Sequence, residues 1–507
     1  MSGGMNGGGS VGGSRGGNAR PSSKTARRPG QQGGAGGRAA TNRGANAEAP
    51  KKARSPREIA LHILVKVAES GAYSNIQLNR SLQDAGLQRA DAALATELVY
   101  GTISRGATLD YWLSQFVAKG LNKLDVWVHQ LLRMSAYQLL FLDRIPAHAA
   151  VNEAVTIAKK RGHSGISGMV NGVLRSIDRR REELTPENIR LDDPIETIAL
   201  RHSYPVWLVR RWADQFGLEV TSGICAAGNE QPHASIRVNA LSSDRESLMV
   251  QLREEGMSAE PSAIASAGIV VSGGGNLADT AGFRTGLYSL QDESSMLVAE
   301  VASPKAGMKV LDCCAAPGGK SAHMAELMEG KGKLWANELH AHKRELITAL
   351  TERLKLRNVE AVTGDALTLP ARFAPESMDV VLLDAPCTGF GVIRRKPEIK
   401  WTKTEGDISE IAALQRELLN AVCTLVKPGG TFVYSTCTME KAENEEQIAA
   451  FLKQHPDFEL DADWPADLLS KLANAGLLDD AFEGQLQILP QHFGSDGFFI
   501  ARMIRKR

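Results

Sequence analysis

An apolar strand, a loop of small residues and the start of a helix follow one another in Val310-Leu311-Asp312-Cys313-Cys314-Ala315-Ala316-Pro317-Gly318-Gly319-Lys320. Small residues let a ligand approach the backbone closely, and the first turn of a helix offers N–H groups that no helical carbonyl uses. A phosphate-binding loop needs a glycine where Cys314 stands, which argues against a nucleotide hydrolase. The stretch therefore predicts a ligand-binding loop at the end of a β-strand.

Strands and helices alternate from this stretch to residue 507. The strand candidates are residues 309–313, 333–337, 360–363, 379–383 and 431–434, and amphipathic helices such as 344–356 and 408–426 separate them. This alternation is typical of a doubly wound α/β sheet, so we predict a Rossmann-like domain over residues 301–507. Its last two apolar runs, 486–490 and 497–502, predict a terminal hairpin.

The residues before this domain fall into three further parts. Residues 56–185 show helical periodicity throughout, for example in the stripe Ile59, Leu61, Ile63 and Leu64, and predict an all-α bundle. Residues 186–300 combine helices with short strand-like runs, which predicts a linker and a small α/β subdomain. The Gly- and Arg-rich residues 1–55 cannot bury enough apolar surface to order, so we predict a disordered tail.

Charge is distributed unevenly along the chain. Residues 1–57 carry eleven Lys and Arg against one Glu, a net charge of +10, whereas the rest carries −9. The basic tail is compatible with loose contact to nucleic acid and equally with a solvated extension.

Overall composition excludes several classes of protein. An apolar content of 43% with 23% charged residues is that of a globular protein. We find neither a span of about 20 apolar residues nor an apolar signal core, and so expect no membrane contact and a cytoplasmic location. The six cysteines form no C-x-x-C pair, and we expect neither disulfides nor a metal site.

Acidic residues stand at the ends of successive predicted strands. Asp312 ends the first strand, Glu338 follows the second and Asp365 follows the third. Ligands bind outside the carboxyl ends of parallel strands, and carboxylates there suit ribose hydroxyls and an adenine amino group. Each acid taken alone is more often a helix cap, but the series after a glycine loop favours a cofactor site.

Two cysteines lie just past the ends of two further strands. Cys387 stands three residues after Asp384, and Cys437 follows Ser435 and Thr436. Two thiols at the ligand-binding edge indicate thiolate chemistry on a bound substrate, although a single cysteine is more often a buried apolar residue. Both are near strand ends, and position alone does not choose the nucleophile.

Three motifs in this order, Asp312 to Lys320, Asp384-Ala385-Pro386-Cys387-Thr388-Gly389 and Ser435-Thr436-Cys437, resemble those of S-adenosylmethionine-dependent RNA cytosine-5 methyltransferases. Within this Nol/Nop/Sun family, the chain is most similar to the bacterial 16S ribosomal RNA enzymes of the RsmB/Sun type. Residues 91–101 and 171–175 look like the helical domain of these enzymes, which is related to the antitermination factor NusB. The resemblance implies a NusB-like bundle that binds RNA, followed by a class I methyltransferase domain.

The resemblance also implies a role for each site residue. Cys437 is the nucleophile that adds to C6 of cytosine, Cys387 assists product release, and Asp384 stabilises charge near N3 and the amino group. S-Adenosylmethionine contacts Cys314, Ala315, Ala316, Pro317, Gly318, Gly319 and Lys320, together with Glu338, Asp365 and Asp384. The family usually has Asp at the position of Glu338, and Glu keeps the carboxylate.

The resemblance implies a monomer that methylates 16S ribosomal RNA, either free or early in assembly. The same chemistry on transfer RNA is one alternative, and a non-catalytic RNA-binding assembly factor is another. Arg394, Arg395 and Lys396 are candidates to hold RNA phosphates, and the alternative is that they are solvated at the surface. Trp401 stacks on a base or, as the more frequent case, packs in the interior.

Overall fold

The computed structural model describes residues 55–71, 74–273 and 275–507 of the chain. The predicted tail over residues 1–55 falls, except for Ser55, outside the described residues. Ser55 is the N-cap of the first helix, where its hydroxyl accepts the N–H of Glu58 at 3.2 Å and the Glu58 carboxylate accepts the N–H of Ser55. This reciprocal pair fixes the start of the helical region.

Seven α-helices form the predicted N-terminal bundle. Their apolar faces share one core, which includes Leu61, Leu98, Leu131 and Leu174. The helices are α1 (Pro56–Ser70), α2 (Ser74–Ala85), α3 (Arg89–Ser104), α4 (Gly106–Ser114), α5 (Val126–Phe141), α6 (Ala147–Arg161) and α7 (Ser164–Arg179). The prediction of an all-α bundle is confirmed.

Five helices and a four-stranded antiparallel sheet follow the bundle, with three of the helices before the first strand. The elements are α8 (Pro194–His202), α9 (Val206–Phe216), α10 (Leu218–Ala227), β1 (Ala234–Val238), α11 (Arg245–Glu254), β2 (Ser258–Pro261), β3 (Gly268–Ser272), α12 (Ala281–Thr285) and β4 (Tyr288–Leu290). The strands lie in the order β2-β3-β1-β4. Ile236, Leu248 and Ile269 are buried together in a small core of their own.

The C-terminal part is built on an eight-stranded sheet. Its elements are α13 (Glu293–Ala302), β5 (Lys309–Asp312), α14 (Gly319–Leu327), β6 (Lys333–Glu338), α15 (Ala341–Arg353), β7 (Val359–Thr363), β8 (Met378–Asp384), α16 (Ile399–Thr402), α17 (Glu405–Val422), β9 (Val426–Thr436), α18 (Glu445–Gln454), β10 (Phe458–Leu460), α19 (Ala466–Asn474), β11 (Gln485–Ile488) and β12 (Phe498–Arg505). Seven strands lie in the order β10-β12-β9-β8-β5-β6-β7, and β11 pairs with β12.

Strands β5 to β9 run parallel to one another, and β12 runs antiparallel to β9. The doubly wound fold and the terminal β11–β12 hairpin are therefore confirmed. Strand β9 begins at Val426, five residues before the predicted start at residue 431, because Val426 still pairs with Met378 across an irregularity in the register. The strand order reverses at β5, because β6 lies on one side of β5 and β8 on the other. This reversal opens a crevice at the carboxyl edge of the sheet.

A buried lysine joins the helical bundle to the C-terminal domain. Lys400 is 0% exposed, and its ammonium donates to the Ser104 carbonyl at 2.9 Å and to the Asn229 side chain at 3.1 Å. The same group lies 4.1 Å from the ring centroid of Tyr204. Burial lowers the pKa of Lys400 well below its usual value. Three segments distant in sequence are thus held by one side chain.

A buried arginine joins the four-stranded sheet to the C-terminal domain. Arg237 of β1 donates to both carboxylate oxygens of Glu326, at 3.1 and 2.7 Å, and to the Gly319 carbonyl at 2.8 Å. Gly319 and Glu326 belong to α14, so the contact fixes the helix that follows the glycine loop. Within the described part of the chain, we find no helix long and apolar enough to cross a membrane.

Candidate functional site

The carboxyl ends of three adjacent strands carry most of the predicted site residues. Strand β8 pairs with β5 on one side and β9 on the other. The glycine loop follows β5, Asp384 ends β8, and Cys437 is the first residue after β9. The structure therefore brings the ligand loop, the acid and the cysteines to one edge of the sheet.

The glycine loop is held in shape from inside the sheet. Asp312 is buried and accepts the hydroxyl of Ser321 at 2.6 Å, and burial raises the pKa of its carboxyl group to about 7. The Asn337 side chain donates to the carbonyls of Cys313 at 3.0 Å and Gly364 at 2.9 Å. The Asn337 carbonyl also accepts the N–H of Ala315 at 2.8 Å. Asp312 thus supports the loop from beneath.

Gly318 has a structural reason to be glycine. It precedes α14 with a φ of +108°, in a region that other residues rarely adopt. A Cβ atom there would also lie 3.3 Å from the Ile347 backbone and from Leu350. The loop consequently passes close to α15, and α14 begins directly at Gly319 with its first N–H groups at the ligand edge.

Four carboxylates lie around Cys314. Burial is the main reason that the pKa of this thiol is raised, and the negative charges of Asp312, Asp384, Glu338 and Asp365 raise it further. Burial and these charges therefore keep the Cys314 thiol protonated. Carboxylates at a strand edge favour a ligand that carries positive charge.

Glu338 and Asp365 differ in their surroundings. Glu338 is buried at the end of β6, and its carboxylate accepts the N–H of His340 at 3.0 Å. Asp365 is exposed, and it caps a short 3-10 helix by accepting the N–H of Leu367 at 3.0 Å. The helix-cap interpretation thus holds for Asp365, which does not prevent its second oxygen from contacting a ligand.

Lys320 is paired with Asp384, the acid at the end of β8. Its ammonium donates to Asp384 at 2.8 Å, and the other oxygen of Asp384 accepts the Ser435 hydroxyl at 2.8 Å. Burial opposes the charge of Lys320, but the Asp384 carboxylate outweighs it, so the pKa of Lys320 is raised. The sequence indicated Lys320 only as part of the glycine loop, and its contact with Asp384 is visible only in the fold.

The two cysteines contact each other. Their sulfur atoms are 3.3 Å apart, and both residues are partly buried and free of disulfide bonds. The hydrogen bond from Cys387 lowers the pKa of Cys437; burial and Asp384 oppose this effect, while Lys320 and Lys396 add to it. Cys437 is therefore the thiol that ionises.

Cys387 shows the opposite shift. Donation of its S–H to Cys437 raises the pKa of Cys387 well above that of an ordinary thiol, and burial acts in the same direction. The negative charges of Glu443 and Asp384 add to this effect. The pair can consequently supply one thiolate and one thiol side by side at the same edge.

Two arginines of the basic segment after the Asp384 loop bind other parts of the protein. Arg394 is only 6% exposed, and it donates to the carbonyls of Gly494, of Pro490 at 2.7 Å and of Ala227 at 3.2 Å. Arg395 donates to Asp496 at 2.8 and 3.0 Å and to Asp292 at 2.7 Å. The prediction that these arginines hold RNA phosphates is wrong for Arg394, which is buried against protein carbonyls, while Arg395 is partly exposed and paired with two carboxylates.

Trp401 is exposed, and the alternative that it packs in the interior is wrong. Its relative exposure is 43%, and it lines a cleft of about 420 Å³ between the helical bundle and α16. Arg133 and Asp110, which are ion-paired with each other, line the same cleft. An exposed aromatic ring in a cleft is a suitable stacking surface for a nucleobase.

Comparison with protein families gives three matches along the chain. A family model described as 16S rRNA methyltransferase RsmB/F matches residues 299–504. The NusB family model matches residues 54–179, and a ferredoxin-like domain of RsmF/B-like methyltransferases matches residues 204–278.

Individual relatives match over nearly the whole chain. The probable ribosomal RNA small subunit methyltransferase B of Bacillus subtilis (strain 168) is 46% identical over 455 residues, which is 90% of this chain and 100% of the relative. The corresponding protein of Synechocystis sp. is 36% identical over 89% of this chain and 99% of its own length. The crystal structure of PH0851 superposes with a TM-score of 0.72 at 27% identity, covering 90% of this chain and 99% of that one.

Proposed function

Because this chain belongs to the RsmB/F family of small-subunit ribosomal RNA methyltransferases, we propose that it transfers a methyl group from S-adenosylmethionine to C5 of a cytosine in 16S ribosomal RNA. The observation that carries this proposal is the contact between Cys387 and Cys437, at 3.3 Å, beside the Lys320–Asp384 pair. C5 of cytosine is a weak nucleophile, so the ring needs a covalent activator. A transfer to an exocyclic amine needs no thiol.

The glycine loop and the strand-end acids fit S-adenosylmethionine. The four carboxylates around Cys314 suit its positive sulfonium, and the buried Glu338 suits ribose hydroxyls. Residues 314–320, Glu338, Asp365 and Asp384 would hold the cofactor. When bound, S-adenosylmethionine supplies an electrophilic methyl group.

Cys437 is the proposed nucleophile. Its lowered pKa increases the share of thiolate, and the thiolate is the form that attacks. Addition of the sulfur to C6 makes C5 electron-rich and places negative charge toward N3. A protonated Asp384 would donate its proton to N3 and so neutralise this charge, and the ammonium of Lys320 beside it would add positive charge.

Cys387 is the proposed residue of product release. After methylation, the C5 proton has to leave and the bond between Cys437 and C6 has to break. Once Cys437 is bonded to carbon, it no longer accepts the hydrogen bond of Cys387, and that thiol becomes available for proton transfer at the ring. The loss of that hydrogen bond removes the largest cause of its raised pKa, so Cys387 can lose its proton to solvent, and the resulting thiolate takes the C5 proton as the bond between Cys437 and C6 breaks.

The helical bundle and Trp401 are proposed to contact the RNA, which the protein meets as a monomer. A cytosine within structured RNA has to leave its stack to reach the two thiols. Lys396, whose charge acts on Cys437, is the member of the basic segment that stays available for a phosphate.

The proposal is tested by methyl transfer from tritiated S-adenosylmethionine to unmodified 16S ribosomal RNA and to unmodified transfer RNA. We expect incorporation into 16S RNA only, at one cytosine that bisulfite sequencing then locates. Incorporation into transfer RNA alone would reassign the substrate. The absence of incorporation at saturating cofactor would favour a non-catalytic assembly factor.

A further inference from the structure

Buried polar side chains hold the residues before and after Cys387, and likewise those before and after Cys437. For Cys387, the following residue is Thr388, whose N–H donates to Glu443 Oε2 at 2.9 Å and whose hydroxyl donates to Glu443 Oε1 at 2.6 Å. The preceding residue is Pro386, whose carbonyl accepts the side chain of Gln415 at 2.9 Å. Gln415 also donates to Glu443 at 3.0 Å, so both supports meet at one carboxylate.

Cys437 is held in the same way by Asn444, the residue that follows Glu443 in the chain. Its side-chain oxygen accepts the hydroxyl of Thr436 at 2.6 Å, and its amide nitrogen donates to the carbonyl of Thr438 at 3.2 Å. Thr436 and Thr438 are the two neighbours of Cys437. The adjacent residues Glu443 and Asn444 thus hold one cysteine loop each.

The two loops are also linked directly. The hydroxyls of Thr388 and Thr438 are 2.9 Å apart. Because Thr388 gives its proton to Glu443, Thr438 must be the donor in this contact. A single chain of hydrogen bonds therefore runs from the Cys437 loop through Thr388 to the Glu443 carboxylate.

From these contacts we infer that Glu443 and Asn444 are positioning residues, which hold the Cys387 and Cys437 loops in register and so set the contact between the two thiols. Their importance for methyl transfer rests on the function proposed above. Their effect on the thiols does not, because it requires neither RNA nor cofactor.

The charge of Glu443 is the reason to regard it as more than a structural support. It is fully buried, and among the ion pairs of the described residues none involves Glu443. Burial raises the pKa of Glu443, and the hydrogen bonds that it accepts from Thr388 and Gln415 oppose this shift. Its negative charge adds to the raised pKa of Cys387, after the larger effects of the hydrogen bond to Cys437 and of burial.

The experiment measures which cysteine reacts with iodoacetamide in the full-length protein at neutral pH, without RNA or cofactor. Peptide mass spectrometry gives the ratio of Cys437 to Cys387 modification. We expect modification mainly at Cys437 in the unaltered protein. In Glu443→Gln, the ratio should fall about tenfold, because a displaced Cys387 no longer donates to Cys437 and a hydrogen bond to a charged group is worth at least about one pKa unit. Glu446→Gln, at an exposed position three residues further on, is the matched control and should keep the original ratio.

Methyl transfer gives the second readout. Misplacement of reacting groups by about 1 Å lowers rates about 100-fold, so kcat of Glu443→Gln should fall by about this factor while the KM for S-adenosylmethionine stays constant. If Glu443→Gln is unfolded, Thr388→Val replaces it, because that change removes only the hydroxyl link and should shift the modification ratio in the same direction. An unchanged ratio in a folded variant would overturn the inference.

The two proposals fail in different ways. If the unaltered protein methylates no RNA but Glu443→Gln shifts the modification ratio, the proposed function is wrong and the positioning role stands. If the protein methylates 16S RNA and Glu443→Gln matches it in both readouts, the positioning role is wrong and the function stands.

Discussion

Removal of the Cys387 thiol should raise the pH at which Cys437 becomes reactive. In the structure, the sulfur atoms of Cys387 and Cys437 are 3.3 Å apart, and a hydrogen bond from Cys387 is the largest cause of the lowered pKa of Cys437. A hydrogen bond to a charged group contributes about 1.5–3 kcal/mol, and one pKa unit corresponds to about 1.4 kcal/mol. The Cys387→Ala substitution should therefore raise the pKa of Cys437 by about one to two units.

The direction of the change in the pKa of Cys437 follows from which form of that thiol the hydrogen bond stabilises. Cys387 donates, so it stabilises the ionised form of Cys437, and its loss favours the protonated form. The rate of Cys437 alkylation by iodoacetamide, measured from about pH 6 to pH 10 with site assignment by mass spectrometry, should show a midpoint displaced upward by this amount. Cys387→Ser keeps a donor at the same position and should restore most of the displacement.

Two results would refute this reasoning. A midpoint that stays in place or moves downward in Cys387→Ala would mean that the hydrogen bond does not hold the Cys437 thiolate. A midpoint that moves upward equally in Cys387→Ser would mean that the shape of the loop, and not the donor, controls ionisation.

Three further predictions concern the reaction, the cofactor and stability. Cys437→Ala should abolish methyl transfer and leave no covalent RNA adduct, whereas Cys387→Ala should accumulate a protein–RNA complex that survives a denaturing gel; the reverse pattern would exchange their roles. Glu338→Gln should weaken S-adenosylmethionine binding about 10- to 100-fold in calorimetry, since a charged hydrogen-bond acceptor is lost. Arg237→Met should destabilise the fold by about 3–5 kcal/mol in urea unfolding, because Glu326 is left buried and unpaired. The double variant Arg237→Met with Glu326→Leu should regain most of the lost unfolding free energy. If it does not, Arg237 stabilises the fold through its other contacts.

Local sequence was sufficient to predict most of the elements. Apolar runs of four or five residues predicted β5 to β8 to within one or two residues at each end. Helix α17 spans Glu405–Val422, whereas the prediction was 408–426, because the capping box of Thr404 and Asp407 starts the helix earlier than its apolar stripe does. Pro428 and the two glycines after it concealed the first part of β9, where pairing with the neighbouring strand overrides local preference.

Contacts between segments that are distant in the chain could not be predicted from the sequence. Arg394 was predicted from its charge to face solvent or RNA, but three carbonyls from residues 227, 490 and 494 surround it. Glu443 stood in a polar run before a helix, typical of an exposed cap. Its partner Thr388 lies 55 positions away, and no local pattern joins the two.

The sequence by itself determined the order of the strands along the chain, the glycine loop and the presence of cysteines just past two strand ends, because each of these depends on neighbouring residues. It also carried the family resemblance, which the comparisons confirm. Only the tertiary structure decided that the two thiols touch, that Lys320 pairs with Asp384, and that Cys437 has the lower pKa of the two thiols. These properties depend on distances and burial between segments that the chain brings together only when it folds.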